Sequence, residues 1–114
     1  MEMLQNRIEI LNALVKVTMP ISEAVARLTK LPWDSESELV ALTPDDICHI
    51  LTLFKQGGLS AAEVEDWANA LECREDVHIS SSVGQLLLHE LANPLLTYPL
   101  TNDRANFWLG QLRQ

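Results

Sequence analysis

Apolar residues recur at helical spacing from the start of the chain. The first apolar stripe covers about half of the helix circumference and consists of Leu4, Ile8, Ile10, Leu11, Leu14, Val15 and Val17. Pro20 cannot continue this helix, so a second, shorter helix is expected to follow and to end before Pro32. The wide first stripe predicts either packing into a groove of the chain's own domain or a contact with a second copy.

A third helix is bounded by strong start and stop signals. Thr43 is a favourable N-cap, and Pro44 suits the first helical position. Gly57 and Gly58 tolerate the left-handed conformation in which helices commonly end. The sequence therefore predicts a helix between Thr43 and Gly57.

The segment "LSAAEVEDWANALECRED", residues 59–76, is predicted to be the next helix. Ser60 and Glu63 have the spacing of a capping box, in which each side chain accepts a hydrogen bond from the other residue's backbone N–H. Trp67 falls on the apolar face, and the neighbouring acids fall on the opposite flank. This helix and the preceding one form a predicted αα-hairpin with the indole inside and the carboxylates in water.

Two further helices are predicted in the last part of the chain. Apolar residues over 83–91 indicate a central, buried helix that ends before Pro94, and Thr101 caps a last helix. No segment shows strand alternation, and "VHISSS", residues 77–82, is interpreted as a link. The sequence thus predicts an all-α fold, a compact single-domain bundle of five or six helices over residues 1–114.

The net charge limits the kinds of partner. Sixteen Asp and Glu residues against eight Lys and Arg give a formal net charge of −8. This charge disfavours nucleic acids and anionic membranes, both of which reward basic patches. No apolar run approaches the roughly 20 residues that cross a bilayer, and the N-terminus lacks the basic flank and apolar block of a signal peptide. We therefore expect a cytoplasmic protein, and a partner that is cationic if there is one.

The acidic residues are concentrated in one part of the chain. Between Asp34 and Asp76 there are eleven acids and only two bases, Lys55 and Arg74. Such a run is often the solvated side of a helix, but it also suits a docking surface for a basic protein. The predicted docking residues, called the acidic face below, are Asp45, Asp46, Glu65, Asp66, Asn69, Glu72, Glu75 and Asp76.

Residues that could support metal binding or catalysis lack the spacing that such sites need. Cys48 and Cys73 are not paired with histidines at the spacing of zinc ligands, and both are expected to be reduced thiols. No window supplies the alternating oxygen ligands of a calcium loop. Neither a nucleophile beside a base nor a carboxylate pair in contrasting environments stands out. We expect no catalytic residue, no metal and no cofactor.

Glu90 lies inside the apolar arc of its predicted helix, so its carboxylate is expected to be partly buried. A buried carboxylate needs a cationic partner, for which Arg104 and Arg74 are the candidates. Trp33, in a predicted loop, and Phe107, on the outer side of the last helix, either cover the core or anchor a partner. Core packing is the preferred interpretation for Trp33.

The stretch "ILTLFKQGGLSAAEVEDWANALECRED", followed by "ELANPLL" and "LTNDRA", resembles a group of small helical bacterial proteins and, more distantly, the colicin-like self-protective immunity proteins. Immunity proteins are compact acidic helical domains that bind and silence a toxin. The similar region spans residues 43–106, and residues 1–42 have no counterpart in it. The resemblance implies a basic nuclease domain as the ligand, contacted by Asp66, Glu72, Glu75 and Asp76.

Together these features predict a non-enzymatic binding module whose acidic face docks a cationic protein partner, with an immunity-like or antitoxin-like role. The alternative is a structural or scaffolding domain that forms a homodimer through its first helix. The first hypothesis needs a free acidic face, and the second needs a free apolar stripe on the first helix.

Overall fold

The described part of the chain folds into six helices and two short strands. The computed structural model describes residues 2–30, 40–72, 74 and 76–112. The predicted all-α class is confirmed, because the helices dominate the chain and pack around one apolar core. In chain order the elements are α1 (Glu2–Lys16), α2 (Ile21–Thr29), β1 (Val40–Leu42), α3 (Pro44–Lys55), α4 (Ala61–Leu71), β2 (Val77–Ile79), α5 (Ser82–Ala92) and α6 (Asn102–Leu112).

The two strands were not predicted from the sequence. β1 and β2 pair in parallel, with Val40 opposite Val77 and Leu42 opposite Ile79. Each strand has only three residues, which is too short for a period of two to stand out. The segment interpreted as a link therefore contributes a strand, and the α3–α4 hairpin supplies the long crossover that a parallel pair needs.

The starts of α3 and α4 are fixed by capping boxes, and glycine ends α3. Thr43 Oγ1 accepts a hydrogen bond from the backbone N–H of Asp46, whose carboxylate accepts from the N–H of Thr43 at 3.0 Å. Ser60 and Glu63 make the same reciprocal pair, which confirms the predicted box. Gly57 has a φ of +80°, in the left-handed region that glycine tolerates.

The helix predicted over residues 59–76 is shorter than expected. α4 ends at Leu71, and the backbone of Glu72 is extended, with a ψ of 136°. Asp76 is fully buried immediately before β2, where it contacts Arg7 of α1. The prediction of a helix continuing to Asp76 is therefore wrong.

Trp67 lies in the centre of the core, as predicted. Its side chain is fully buried, and Nε1 donates a hydrogen bond to the carbonyl oxygen of Leu14 at 2.9 Å. Leu11, Leu14 and Val15 are buried in the same cluster, so the described part of the α1 stripe packs within the chain's own domain. Trp33 lies outside the described residues.

α5 and α6 complete the bundle by packing against the hairpin and against each other. Ser81 caps α5 by accepting from the N–H of Gly84, and Thr101 caps α6 by accepting from the N–H of Arg104, as predicted for Thr101. None of the described helices combines the length and the apolar character needed to cross a membrane.

Candidate functional site

The structure divides the predicted acidic face into buried and exposed members. Asp46 is buried because it closes the α3 capping box and forms an ion pair with Lys16. It thereby ties the start of α3 to the end of α1. The prediction that Asp46 lies on the surface is wrong, because its carboxylate makes contacts within the fold.

Asp76 is fully buried and lies between two arginines. Its Oδ2 is 3.3 Å from Arg7 Nη1 and 3.0 Å from Arg74 Nη2, and its Oδ1 accepts from Arg74 Nε at 2.9 Å. A carboxylate without solvent must be compensated by such partners, because burial removes its hydration. The expected surface position of Asp76 is therefore also wrong, and the residue holds together α1 and the entry to β2.

Glu72 is half-buried at the end of α4, and its carboxylate faces α5. Its Oε1 is 3.4 Å from Nδ1 of His89, and its Oε2 is buried with no hydrogen-bond partner among the described residues. Asn93 Nδ2 lies 3.3 Å from the same His89 nitrogen. Glu75 is outside the part of the chain that the structure describes. Glu72 thus lies at a helix–helix contact rather than on an open surface.

The remaining members of the acidic face open to different sides of α4. Asp66 and Asn69 line a groove of about 510 Å³ between α2 and α4. Glu65 lines a separate pocket of about 200 Å³ that also includes Tyr98. Asp45 is exposed in the first turn of α3. The structure therefore brings Asp66 and Asn69 together but does not gather the predicted residues at one place.

The predicted ion pair of Glu90 is confirmed, and its partner is Arg104. Arg104 Nη2 donates to Glu90 Oε1 at 2.6 Å, and Arg104 Nε donates to Oε2 at 2.8 Å. Trp108 Nε1 donates to the same Oε2 at 2.6 Å. Glu90 is only 6% exposed, so these three hydrogen bonds replace most of its hydration. The other candidate, Arg74, pairs with Asp76 instead.

These contacts keep both members of the pair ionised. Burial raises the pKa of Glu90, but the hydrogen bonds from Arg104 and Trp108 and the arginine charge outweigh it, so the pKa lies below its ordinary value of 4.5. The hydrogen bonds that Arg104 donates to Glu90 in turn raise the pKa of Arg104. A carboxylate of this kind is a structural anchor, because it is already deprotonated and fully engaged at neutral pH.

An exposed apolar surface lies directly outside this ion pair. Among the described residues, the large apolar side chains that remain exposed all fall between residues 86 and 107, on α5, on the α5–α6 loop and on α6. Such clustering is typical of interaction sites, whereas single exposed apolar residues are ordinary. Leu86 (65% exposed), Leu96 (81%) and Tyr98 (57%) line one depression, Tyr98 and Phe107 (47%) line a second, and Leu95 (99%) is the chain neighbour of Leu96. These five residues are called the apolar patch below.

Aromatic rings surround the guanidinium group of Arg104 beneath the patch. Its Cζ lies 4.0 Å from the ring centroid of Tyr98, 4.6 Å from that of Phe107 and 5.4 Å from that of Trp108. The rings of Phe107 and Trp108 make an edge-to-face contact with centroids 5.3 Å apart. Cation–π attraction and the Glu90 pair therefore hold the aromatic members of the patch in place.

The sequence indicated only one member of this patch. Phe107 was expected on the outer side of its helix, and it is exposed there. The signal that could have revealed the rest is "LLTYPL", residues 95–100, where four apolar residues follow a helix-ending Pro94 without helical spacing. Apolar residues outside a periodic segment have no predicted core to enter, so they are candidates for exposure.

The described residues contain no group of three or more His, Cys, Asp and Glu side chains that could hold a metal ion. The chain matches no family model, no curated protein and no solved structure. The functional interpretation therefore depends on the two surfaces themselves, the open acids of α3 and α4 and the apolar patch of α5 and α6.

Proposed function

We propose that this protein is a non-enzymatic binding module that docks a cationic protein partner. The best support for this proposal is that several acids outside the internal ion pairs have no partner within the described part of the protein. Within the described part of the chain, the side chains of Asp45, Glu65 and Asp66 make no hydrogen bond or ion pair, whereas Asp46, Asp76 and Glu90 are all paired internally. The unpaired acids are available for an external cation.

The net charge of −8 gives these residues a long-range role as well. A negative field accelerates the encounter with a positively charged protein and slows the encounter with anions, and salt weakens both effects. A basic toxin domain is one partner with the required charge, which would make the module immunity-like or antitoxin-like. We place this activity in the bacterial cytoplasm as part of the same proposal.

Association kinetics with a basic probe test this function. The probe is a synthetic amphipathic peptide with leucines on one helical face and lysines on the other, called the Leu/Lys peptide below. We expect its association rate with the protein to fall by about tenfold or more between low and high ionic strength. Glu65→Gln combined with Asp66→Asn should lower the low-salt rate by about threefold and flatten the salt dependence.

A matched variant separates the effect of the two α4 positions from that of the overall charge. Asn12→Lys combined with Gln56→Lys changes the net charge by the same amount at two exposed positions outside the acidic face. This control should slow association less than the α4 double variant does. Equal slowing by the two variants would show that only net charge matters, and salt-independent association of the wild-type protein would contradict the proposal altogether.

A further inference from the structure

We infer that the apolar patch is the anchor surface for the same partner, and that it accepts an amphipathic segment whose apolar side chains are flanked by lysine or arginine. This inference rests on the proposed function, because it names where the cationic partner binds and by what chemistry. According to this inference, the partner makes its main contact with α5, α6 and the loop between them, and not with the acids of α4.

Leu95 and Leu96 lie in a turn whose backbone is held by hydrogen bonds. Thr97 Oγ1 donates to the carbonyl oxygens of Asn93 at 2.7 Å and Glu90 at 3.1 Å, and the N–H of Leu96 donates to the Asn93 carbonyl at 3.1 Å. Leu95 and Leu96 are nevertheless 99% and 81% exposed. Because hydrogen bonds already hold the backbone of this turn, little backbone entropy is lost when a partner covers it.

The surface of the patch has two shallow depressions. One of about 540 Å³ is lined by Leu86, Leu96 and Trp108, and one of about 330 Å³ lies beside Phe107. Tyr98 lines both depressions. Recesses next to rigid aromatic groups receive the side chains that dominate protein–protein binding energy.

Acidic residues border the patch. Glu65 shares a pocket with Tyr98, and Asp103 lines the depression beside Phe107, so acids lie on two sides of the apolar residues. Among the residues that the structure describes, Arg104 lies beneath the patch and is paired with Glu90. The rim is therefore negative, which favours lysine or arginine on the partner.

The same charges argue against two other occupants. A second copy of the chain would bring together two molecules that each carry −8, and would place one acidic rim against another. An anionic lipid surface would meet the same repulsion. A basic amphipathic protein segment satisfies both the apolar centre and the acidic rim.

Equilibrium binding of the Leu/Lys peptide to the intact protein tests the inference. Two control peptides are used: one with glutamates in place of the lysines, and one with the same leucines and lysines permuted so that no apolar face exists. We expect the Leu/Lys peptide to bind at least about tenfold more tightly than either control. Methyl NMR shifts should move for Leu86, Leu95 and Leu96.

Variants then identify the surface. Leu95→Ser combined with Leu96→Ser should weaken binding of the Leu/Lys peptide by about tenfold or more, because two exposed leucines lose their contacts with it. Met19→Ser, which removes an apolar group from a surface that contains no residue of the acidic face or of the patch, is the control and should change the affinity by less than about twofold. Cooperative thermal unfolding of both variants will show that they are folded.

The outcomes separate this inference from the proposed function. If the α4 double variant slows binding but the leucine variant binds as tightly as the wild type, the apolar patch is not the anchor surface. The proposal of a module that binds a cationic partner is then still supported. If the leucine variant loses binding and the glutamate peptide binds as well as the Leu/Lys peptide, the patch binds apolar segments regardless of their charge. The proposal of a cationic partner is then wrong. A leucine-dependent dimer in sedimentation, or leucine-dependent binding to vesicles of anionic lipid, would overturn the inference in favour of that occupant.

Discussion

In residues 61–76, some acidic side chains that the sequence suggests are on the surface are buried in the protein. In residues 86–107, by contrast, several large apolar side chains are exposed to solvent. Asp76 is the clearest case in the first region, since two arginines surround it in the interior. Leu95 is the clearest case in the second, at 99% exposure. Charge density along the chain is therefore a poor guide to which surface is available to a partner.

The two regions also place their buried carboxylates differently. Asp76 joins segments that are distant in the chain, because Arg7 is on α1 and Asp76 precedes β2. Glu90 pairs with Arg104 between adjacent helices, directly under the apolar patch. The first ion pair holds the fold together, and the second supports a surface. The following experiments examine this distinction, in order of decreasing expected effect.

Replacing Asp76 should cost the most. Asp76→Asn keeps the shape of the side chain but leaves Arg7 and Arg74 without their buried counter-charge, so we expect the free energy of unfolding to fall by about 3 kcal/mol. Urea denaturation provides the measurement, with Asp66→Asn as the exposed control, for which we expect less than about 0.5 kcal/mol. Equal losses for the two variants would remove the distinction between buried and surface acids of this region.

Replacing Glu90 should have a smaller effect that depends on pH. Glu90→Gln removes the charge and replaces one acceptor oxygen with an amide NH2 group, which cannot accept from Arg104 or Trp108, so we expect a loss of about 2 kcal/mol at neutral pH. Because the folded-state pKa of Glu90 is lowered, its ionised form stabilises the protein above the ordinary pKa of 4.5, and this contribution is lost as the pH falls below that value.

The stability difference between the wild type and Glu90→Gln should therefore shrink as the medium becomes more acidic. Urea denaturation at neutral and at acidic pH measures it. Asp103→Asn, an exposed neighbour of Arg104 in the chain, is the comparison and should cost less than about 0.5 kcal/mol at neutral pH. A difference that grows on acidification would show that the pKa of Glu90 is raised rather than lowered.

Removing a helix cap should have an intermediate effect. Thr43→Ala eliminates the hydroxyl that accepts the N–H of Asp46, and we expect a loss of about 1 kcal/mol in unfolding free energy. Thermal unfolding followed by circular dichroism measures the change. Thr43→Ser retains the hydroxyl and should recover most of the loss; failure to do so would mean that methyl packing, and not capping, is the contribution of Thr43.

Changing the apolar patch should have the smallest effect on stability. Leu95→Ser and Leu96→Ser alter groups that are already in water, so each should change the unfolding free energy by less than about 0.5 kcal/mol. Leu91→Ala, in the same stretch of chain but only 4% exposed, is the matched control and should cost about 3 kcal/mol. A large loss of unfolding free energy in either serine variant would show that these leucines are buried in the core, and would contradict the existence of the apolar patch.

The parts of the structure that were predictable from the sequence are those set by local rules. Helical spacing and capping located the helices, and the position of Glu90 within an apolar arc indicated its burial. Its partner was limited to Arg104 or Arg74, and the structure shows Arg104. The burial of Asp76 depends on Arg7, which is 69 residues away, so no local pattern could indicate it. The strands were missed because three residues cannot establish a period.

The candidate site was less predictable than the fold. Asp66 and Asn69 were expected at the surface, and they line an open groove there. Most of the apolar patch was missed because residues 95–100 are not helical, and helical periodicity is informative only where a helix forms. Whether such residues enter the core is decided by the packing of α5 against α6, which is a tertiary property.

The parallel pairing of β1 with β2 has a consequence for the order in which the protein folds. Val40 can pair with Val77 only when the whole intervening chain has been closed into a loop. That closure lowers the entropy of the chain before the strand contacts can contribute favourable free energy. The helices α3 and α4, whose backbone hydrogen bonds are local, shorten this loop as they form. We therefore expect strand pairing to be a late kinetic step, visible as low φ-values at Val40 and Val77 and higher ones in the hairpin.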